Sequence, residues 1–242
     1  MDNSTRSATQ TRAKRASQKT SRKSGTAAAA PAGQETRDSI LRAATRVFAR
    51  YGYEGGSLDK ISRAAKSVDR MIYYYFGSKE GLFIAVLEDM YRRMSEAEMR
   101  LELTPDDPVA SLETVIRFVF RYYRRHPEFI VLLNTENMHR GRHLAKSPRV
   151  RQPGDRYPSA TMGAVAQVLA AGRAQGLFRD GVAARDVYLM ILATGYFYVS
   201  NRYTLSRFLG EDMDTEQAQT EWENFVVETV LRTVSASPVS LQ

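Results

Sequence analysis

The stretch Ser57 to Leu87, SLDKISRAAKSVDRMIYYYFGSKEGLFIAVL, decides the fold. Ser57 stands where a helix N-cap would, ahead of Leu58-Asp59-Lys60-Ile61 with an acid in the first turn. The spacing predicts a short helix over 58–65. Lys66-Ser67-Val68 forms a three-residue connector, and Asp69 can cap a second short helix to about Tyr75. Gly77 ends that helix, Ser78 caps the next, and Leu82, Phe83, Val86, Leu87, Met90, Met94 and Ala97 hold helical period over 78–102. Two short helices across a tight connector are the core of a helix-turn-helix. In that motif the second helix lies in the DNA major groove while the first crosses the backbone.

That geometry needs apolar residues facing inward from both helices. Leu58, Ile61 and Ala65 supply them from the first, and Ile72 with Tyr75 or Phe76 from the second. Asp69, Arg70, Met71, Tyr73 and Tyr74 are then left facing outward. Arg70 can offer a guanidinium fork to guanine, Tyr and Met can touch the thymine methyl, and Ser57, Ser78, Lys79 and the tyrosine hydroxyls can reach phosphates. Ser78 and Lys79 open a helix, where backbone N–H groups also favour an anion.

Upstream, Ile40, Leu41, Ala44, Val47, Phe48 and Tyr51 recur at helical spacing with Gly52 as a C-terminal stop, so a first helix is expected over 36–51. Downstream, Leu112, Val115, Ile116, Val119, Tyr122 and Tyr123 form one stripe closed by His126-Pro127. Further helices are expected at about 128–139, 159–175, 184–206 and 215–235, separated by a polar loop at 140–158 and by Gly176 and Gly210. About nine helices and no strand make the fold class all-α. The expected organisation is a disordered basic tail at 1–34, a three-helix helix-turn-helix domain at 35–87 and a helical body at 88–242.

Composition narrows the function classes. The chain has 242 residues, no cysteine and a net charge of +8. Residues 1–33 hold seven Lys/Arg against one acid and so carry +6 of that charge, leaving the rest nearly neutral. A basic tail without large apolar residues cannot offset its ordering entropy, and it suits attraction to a polyanion. It has no apolar core of a secretory signal, although its Arg/Ser-rich composition overlaps with that of organelle transit peptides. The longest uncharged apolar run, Val187 to Val199, is shorter than the roughly 20 residues that cross a bilayer. Lack of cysteine excludes a thiol nucleophile and a disulfide framework, and points to a reducing cytoplasm. No nucleophile elbow, phosphate-binding loop or His-Glu-x-x-His motif is present, so an enzyme is not expected. His139 and His143 sit four apart, but Gly141 lies between them and no acid at reliable spacing completes a metal site. A solvated or hydrogen-bonding pair is the better reading, and no cofactor is expected.

Phe48-Ala49-x-x-Gly52-Tyr53, Ser57-Leu58-x-x-Ile61 and Ile72-Tyr73-Tyr74-Tyr75-Phe76-x-Ser78-Lys79-Glu80-x-Leu82 together resemble the DNA-binding domain of the TetR/AcrR family of transcriptional regulators. The likeness spans about 36–87. It departs at the turn, where the family usually has Ala-Gly-Val-Ser and this chain has Ala65-Lys66-Ser67-Val68, a change expected to alter operator preference. The resemblance implies a homodimer on a palindromic double-stranded DNA operator, most simply a repressor that a small-molecule effector releases by shifting the spacing of its two reading heads. An activator, or a regulator governed by a protein partner without a small molecule, is the alternative. It also implies dimerisation through the last two helices, for which Val187, Ile191, Thr194, Gly195 and Tyr198 with Phe225, Val226, Val230 and Leu231 form an apolar face. Within the body, Tyr122, Asn134 and Asn137, and Tyr198, Asn201 and Arg202, are candidate ligand contacts, because a few polar groups among aromatics orient small molecules. For Asn134 to Arg140 the competing reading is a helix end emerging into solvent. Arg202 would suit an anionic ligand such as a carboxylate.

Overall fold

A computed structural model describes residues 32–147, 149 and 160–236. The basic tail expected at 1–34 lies almost wholly outside these residues, as does most of the 140–158 loop. Among the described residues the chain forms nine α-helices and no strand. They are α1 (Ala32–Gly55), α2 (Leu58–Ala65), α3 (Asp69–Phe76), α4 (Lys79–Glu98), α5 (Pro108–Arg125), α6 (Pro127–Met138), α7 (Ala160–Ala174), α8 (Ala184–Leu209) and α9 (Glu216–Val234). A 3₁₀ turn, Leu144–Lys146, breaks the expected loop, and an isolated antiparallel bridge joins Phe178 to Ser235.

The helix starts follow local chemistry. Ser57, Ser78, Asp107 and Thr215 each accept a backbone N–H from three residues on, at Lys60, Gly81, Ala110 and Ala218. The cap of α3 differs from expectation: Val68 takes the N-cap position with no side-chain bond, and Asp69 is the first helical residue. Its carboxylate therefore acts on the positive end of the helix rather than as a cap.

Helix α1 packs against α2, α3, α4 and α6, and the head core closes around Ile40, Ala44, Phe48, Ile61, Ile72, Leu82 and Phe83, all buried. Gly81 sets the approach of α3 to α4. A Cβ there would lie 2.1 Å from the Phe76 carbonyl oxygen, so only glycine lets the first turn of α4 back onto the end of α3. The dividing point at 87/88 falls inside α4, which runs unbroken from Phe83 in the head to Met90 and Met94 in the body. In the body, α5 is flanked by α7, α8 and α9. The stripe Leu112, Val115, Ile116, Val119 and Phe120 is buried there with Leu169, Ile191 and Val230.

Most of the apolar face expected for dimerisation is corrected by this packing, whereas Phe225, which belonged to that face, is exposed and Thr194 and Leu231 are half-buried. Val187, Ile191, Gly195, Tyr198, Val226 and Val230 are buried inside the single chain, because that side of α8 and α9 closes on α5 and α7. The opposite side is the one left open. Leu189 (51% exposed) and Phe197 (55%) share a face of α8 with Ala193 between them, and Phe225 (56%) stands out from α9 beside Trp222.

Candidate nucleic-acid interface

Helices α2 and α3 meet across a turn that depends on one residue. Lys66 adopts the left-handed conformation (φ 53°, ψ 43°), and its N–H donates to the Arg63 and Ser62 carbonyls. Ser67 N–H then reaches the Ser62 carbonyl at 2.9 Å, closing α2. The backbone thus keeps a glycine-type turn although a lysine occupies it. The left-handed region costs an L-residue about 1–2 kcal/mol. The Lys66 side chain is exposed.

Beyond the turn, α3 buries Ile72 and leaves Asp69, Arg70, Tyr73 and Tyr74 outward. Tyr73 is 54% and Tyr74 76% exposed, and Asp69 and Arg70 are exposed beside them. Large aromatic side chains left open in this way on one short helix are a ready contact surface. Met71, expected outward, is half-buried against the head core, so its reach is less than its sequence position suggested. Tyr75 and Phe76 are also half-buried, with the Arg37 guanidinium 5.1 Å from the Phe76 ring centre. The flanking polar residues are already engaged. The Ser57 and Ser78 hydroxyls accept helix N–H groups, while their own protons stay available for an outside acceptor. Lys79 donates to the Glu54 carbonyl at 3.2 Å and lies over the Tyr53 ring. Its ammonium has two further donors.

A clamp joins the body to the head behind this surface. Glu136 on α6 is buried, and its carboxylate accepts N–H bonds from His143 (2.8 Å) and Leu144 (2.9 Å). The buried His143 ring packs on Tyr53 and Phe83, with ring centres 4.7 and 4.9 Å away. Lys146 pairs with Glu80 at 2.6 Å and Arg142 approaches Glu54 at 3.9 Å. The histidine pair noted in the sequence therefore serves packing: His143 bonds to Glu136 and meets His139 only edge-on, 5.3 Å between ring centres.

The six candidate ligand residues do not converge on one cavity. Tyr198 and Arg202 line an opening of about 450 Å³ between α5, α8 and α9. Tyr122 lines a separate cleft of only about 20 Å³ beside His126 and Phe129. Asn134 bridges α6 to α8, donating to Ser200 at 3.1 Å and accepting from the Tyr196 hydroxyl. Asn137 is exposed at the end of α6, and Asn201 donates to the Phe197 carbonyl of its own helix. Sequence reasoning missed the residues that dominate the large cavity, Arg117, Arg121, Arg124 and Arg125. Their i, i+4, i+7, i+8 spacing on α5 was the available signal.

Comparison with known proteins agrees with this geometry. Residues 40–86 match the family model described as bacterial regulatory proteins, tetR family, and residues 108–230 match the tetracyclin repressor-like C-terminal domain. The HTH-type transcriptional repressor NicS of Pseudomonas putida is 47% identical over 197 residues, 81% of this chain and 91% of that protein. The chain belongs to the TetR family. This TetR regulator is also 30% identical to the HTH-type transcriptional repressor SCO4008 of Streptomyces coelicolor, over 66% of this chain and 76% of that one. Its fold matches that of the fatty acid degradation regulator FadR from Bacillus halodurans, with TM-score 0.61 and 21% identity over 80% of this chain and 93% of that one. It also matches the transcriptional regulator FadR from Bacillus subtilis, solved in complex with stearoyl-CoA, with TM-score 0.55 and 19% identity over 82% and 99%. The α2–α3 unit is therefore the helix-turn-helix of a DNA-binding transcriptional regulator. No helix among the described residues is long and apolar enough to cross a membrane.

Proposed function

We propose that the protein is a cytoplasmic, homodimeric repressor and not an enzyme, with 35–87 as its DNA-binding domain and 88–242 as its effector and dimerisation body. The single observation that carries the reading is the exposed Arg70-Tyr73-Tyr74 surface of α3 on a head whose turn geometry is intact. Arg70 reads base edges, Tyr73 and Tyr74 contact thymine methyls and backbone, and Ser57, Ser78 and Lys79 hold phosphates. Asp69 and Met71 stand at the edges of this surface. The open Leu189-Phe197-Phe225 face supports pairing of α8 and α9 with a second copy, which would set two α3 helices on half-sites about 34–36 Å apart, or a multiple of that.

A small molecule bound in the body would favour a head spacing that misfits the operator, releasing DNA by differential affinity. The clamp from α6 to α1 and α4 supports such coupling, since a shift of α6 moves both helices that carry the reading unit. Of the ligand candidates, Tyr198 and Arg202 gain support from the cavity, and the placements of Tyr122, Asn134, Asn137 and Asn201 lend none. DNase footprinting on the DNA upstream of the gene tests the reading. Two protected half-sites related by a two-fold axis are expected, and uniform protection that ignores sequence would refute it.

A further inference from the structure

The α5–α8–α9 cavity carries an excess of cation that its own acids do not neutralise. Five arginines line it, at 117, 121, 124, 125 and 202, against Asp214, Glu216 and Glu223. The internal pairings are specific. The buried Glu223 carboxylate takes both Arg117 and Arg121 at 2.7 Å. Burial alone would raise its pKa, but the bonds and charges of the two guanidiniums outweigh that and hold it below the usual carboxylate range. Arg202 pairs with Asp214 at 2.8 Å. Arg124 and Arg125 have no carboxylate within ion-pair distance among the described residues. Arg124 is half-buried against the Phe120 ring and acts electrostatically on the Tyr198 hydroxyl. Guanidiniums that line a cavity with no carboxylate partner of their own, here the half-buried Arg124 and the exposed Arg125, are stabilised by an incoming anion, and their planar forks match carboxylate and phosphate oxygens.

We propose that this cavity binds a compact organic anion bearing a carboxylate or phosphate, held by Arg124 and Arg125 with Tyr198 beside it, and that this anion is the effector. The effector role rests on the reading that a body-bound ligand releases DNA. The volume of about 450 Å³ lies toward the small end of ligand sites and suits a compact molecule rather than a long lipid chain. Its place in the fold also fits control. The cavity wall includes the C-terminal end of α5, which continues through His126 into α6, the helix whose other end carries the clamp on the head.

The test is thermal unfolding of the full-length protein, without DNA and in phosphate-free buffer, with benzoate, inorganic phosphate and the neutral isostere benzamide added separately. An anion at about ten times its Kd is expected to raise the midpoint by about 3–6 °C. Benzamide should leave it unchanged, and Arg124→Gln/Arg125→Gln should abolish the rise. Should that double variant fail to fold, the exposed Arg125→Gln alone must still weaken the rise. A response to benzoate alone assigns the carboxylate and one to phosphate alone assigns the phosphate, each supporting the site. No rise with either anion at millimolar concentration, an equal rise with benzamide, or a rise that survives in the variants overturns it. A rise that leaves promoter binding unchanged supports the site and overturns the effector role.

Discussion

The Glu136 carboxylate and the His143 imidazole meet at 2.6 Å, both buried, with the His143 ring packed against both Tyr53 at the end of α1 and Phe83 at the start of α4. Arg142 approaches the other ring nitrogen as a donor at 3.4 Å, which places the histidine proton on Nδ1 facing the carboxylate. One glutamate thus closes three donors and fixes the turn that fastens body to head. Glu136→Ala would strand those donors in a dry site and should destabilise the protein by about 3–5 kcal/mol, read as a lower urea midpoint with unchanged m-value.

The turn between α2 and α3 makes a prediction of opposite sign. Lys66 holds a left-handed conformation that glycine adopts freely, so Lys66→Gly should stabilise the fold by about 0.5–1 kcal/mol after the entropy of the added glycine is subtracted. The unfolding midpoint should rise by about 1–4 °C.

Glu98 gives a pH-dependent test. It is buried at the end of α4, where desolvation raises its pKa despite bonds from the Thr161 hydroxyl and N–H. A carboxyl whose folded pKa is raised contributes stability only while protonated, and that contribution is lost as pH rises from the unfolded value of 4.5 through the folded one. Glu98→Gln should therefore be more stable than the wild type at neutral pH, with the advantage vanishing on acidification below 4.5. Paired melting curves across that range check it.

Dimerisation should depend on the outward side of α8. Phe197→Asp should weaken self-association by about a hundredfold or more, near 3 kcal/mol, whereas the chain itself should stay folded because Phe197 lies outside its core. Sedimentation velocity over a concentration series measures both.

Much of this was legible in the sequence, for reasons that explain the remainder. Ser57 and Ser78 as caps, Gly77 as a stop and the apolar spacing of α2 to α5 are local signals that placed those helices to within a few residues, whereas Gly52, expected to end α1, only kinks it (φ 68°) before the helix runs on to Gly55. Tyr73 and Tyr74 were separable from Ile72 because a short helix with one buried neighbour leaves little choice of face. The inward side of α8 was mistaken for an interface because it is apolar over its whole circumference, and only the position of α5 tells which stripe is covered. Glu136 and His143 were opaque for a related reason. Seven residues apart across a turn, they share no helical period, and the Tyr53 and Phe83 rings that cover the imidazole come from elsewhere in the chain. The arginines of α5 were passed over in the sequence, and they line a cavity only with α8 and α9 beside them.

For DNA reading, the two kinds of contact should separate in mutants. Arg70→Ala should cost about 1–3 kcal/mol on the operator and relax discrimination at one base position. Lys79→Ala should weaken all sequences alike and lower the salt slope by about one.

Sequence-specific DNA binding through α3 underlies every contact role proposed for Arg70, Tyr73 and Tyr74. Its most direct test is gel retardation of the full-length protein on the DNA upstream of its own gene, against a scrambled fragment of the same length, at physiological salt. The expected result is a shift of the upstream fragment at concentrations at least a thousandfold below those that shift the scrambled one, at the lower end of the usual specificity range of roughly 10³–10⁷, with Arg70→Ala narrowing that gap. Equal retardation of both fragments, or none of either, would contradict it.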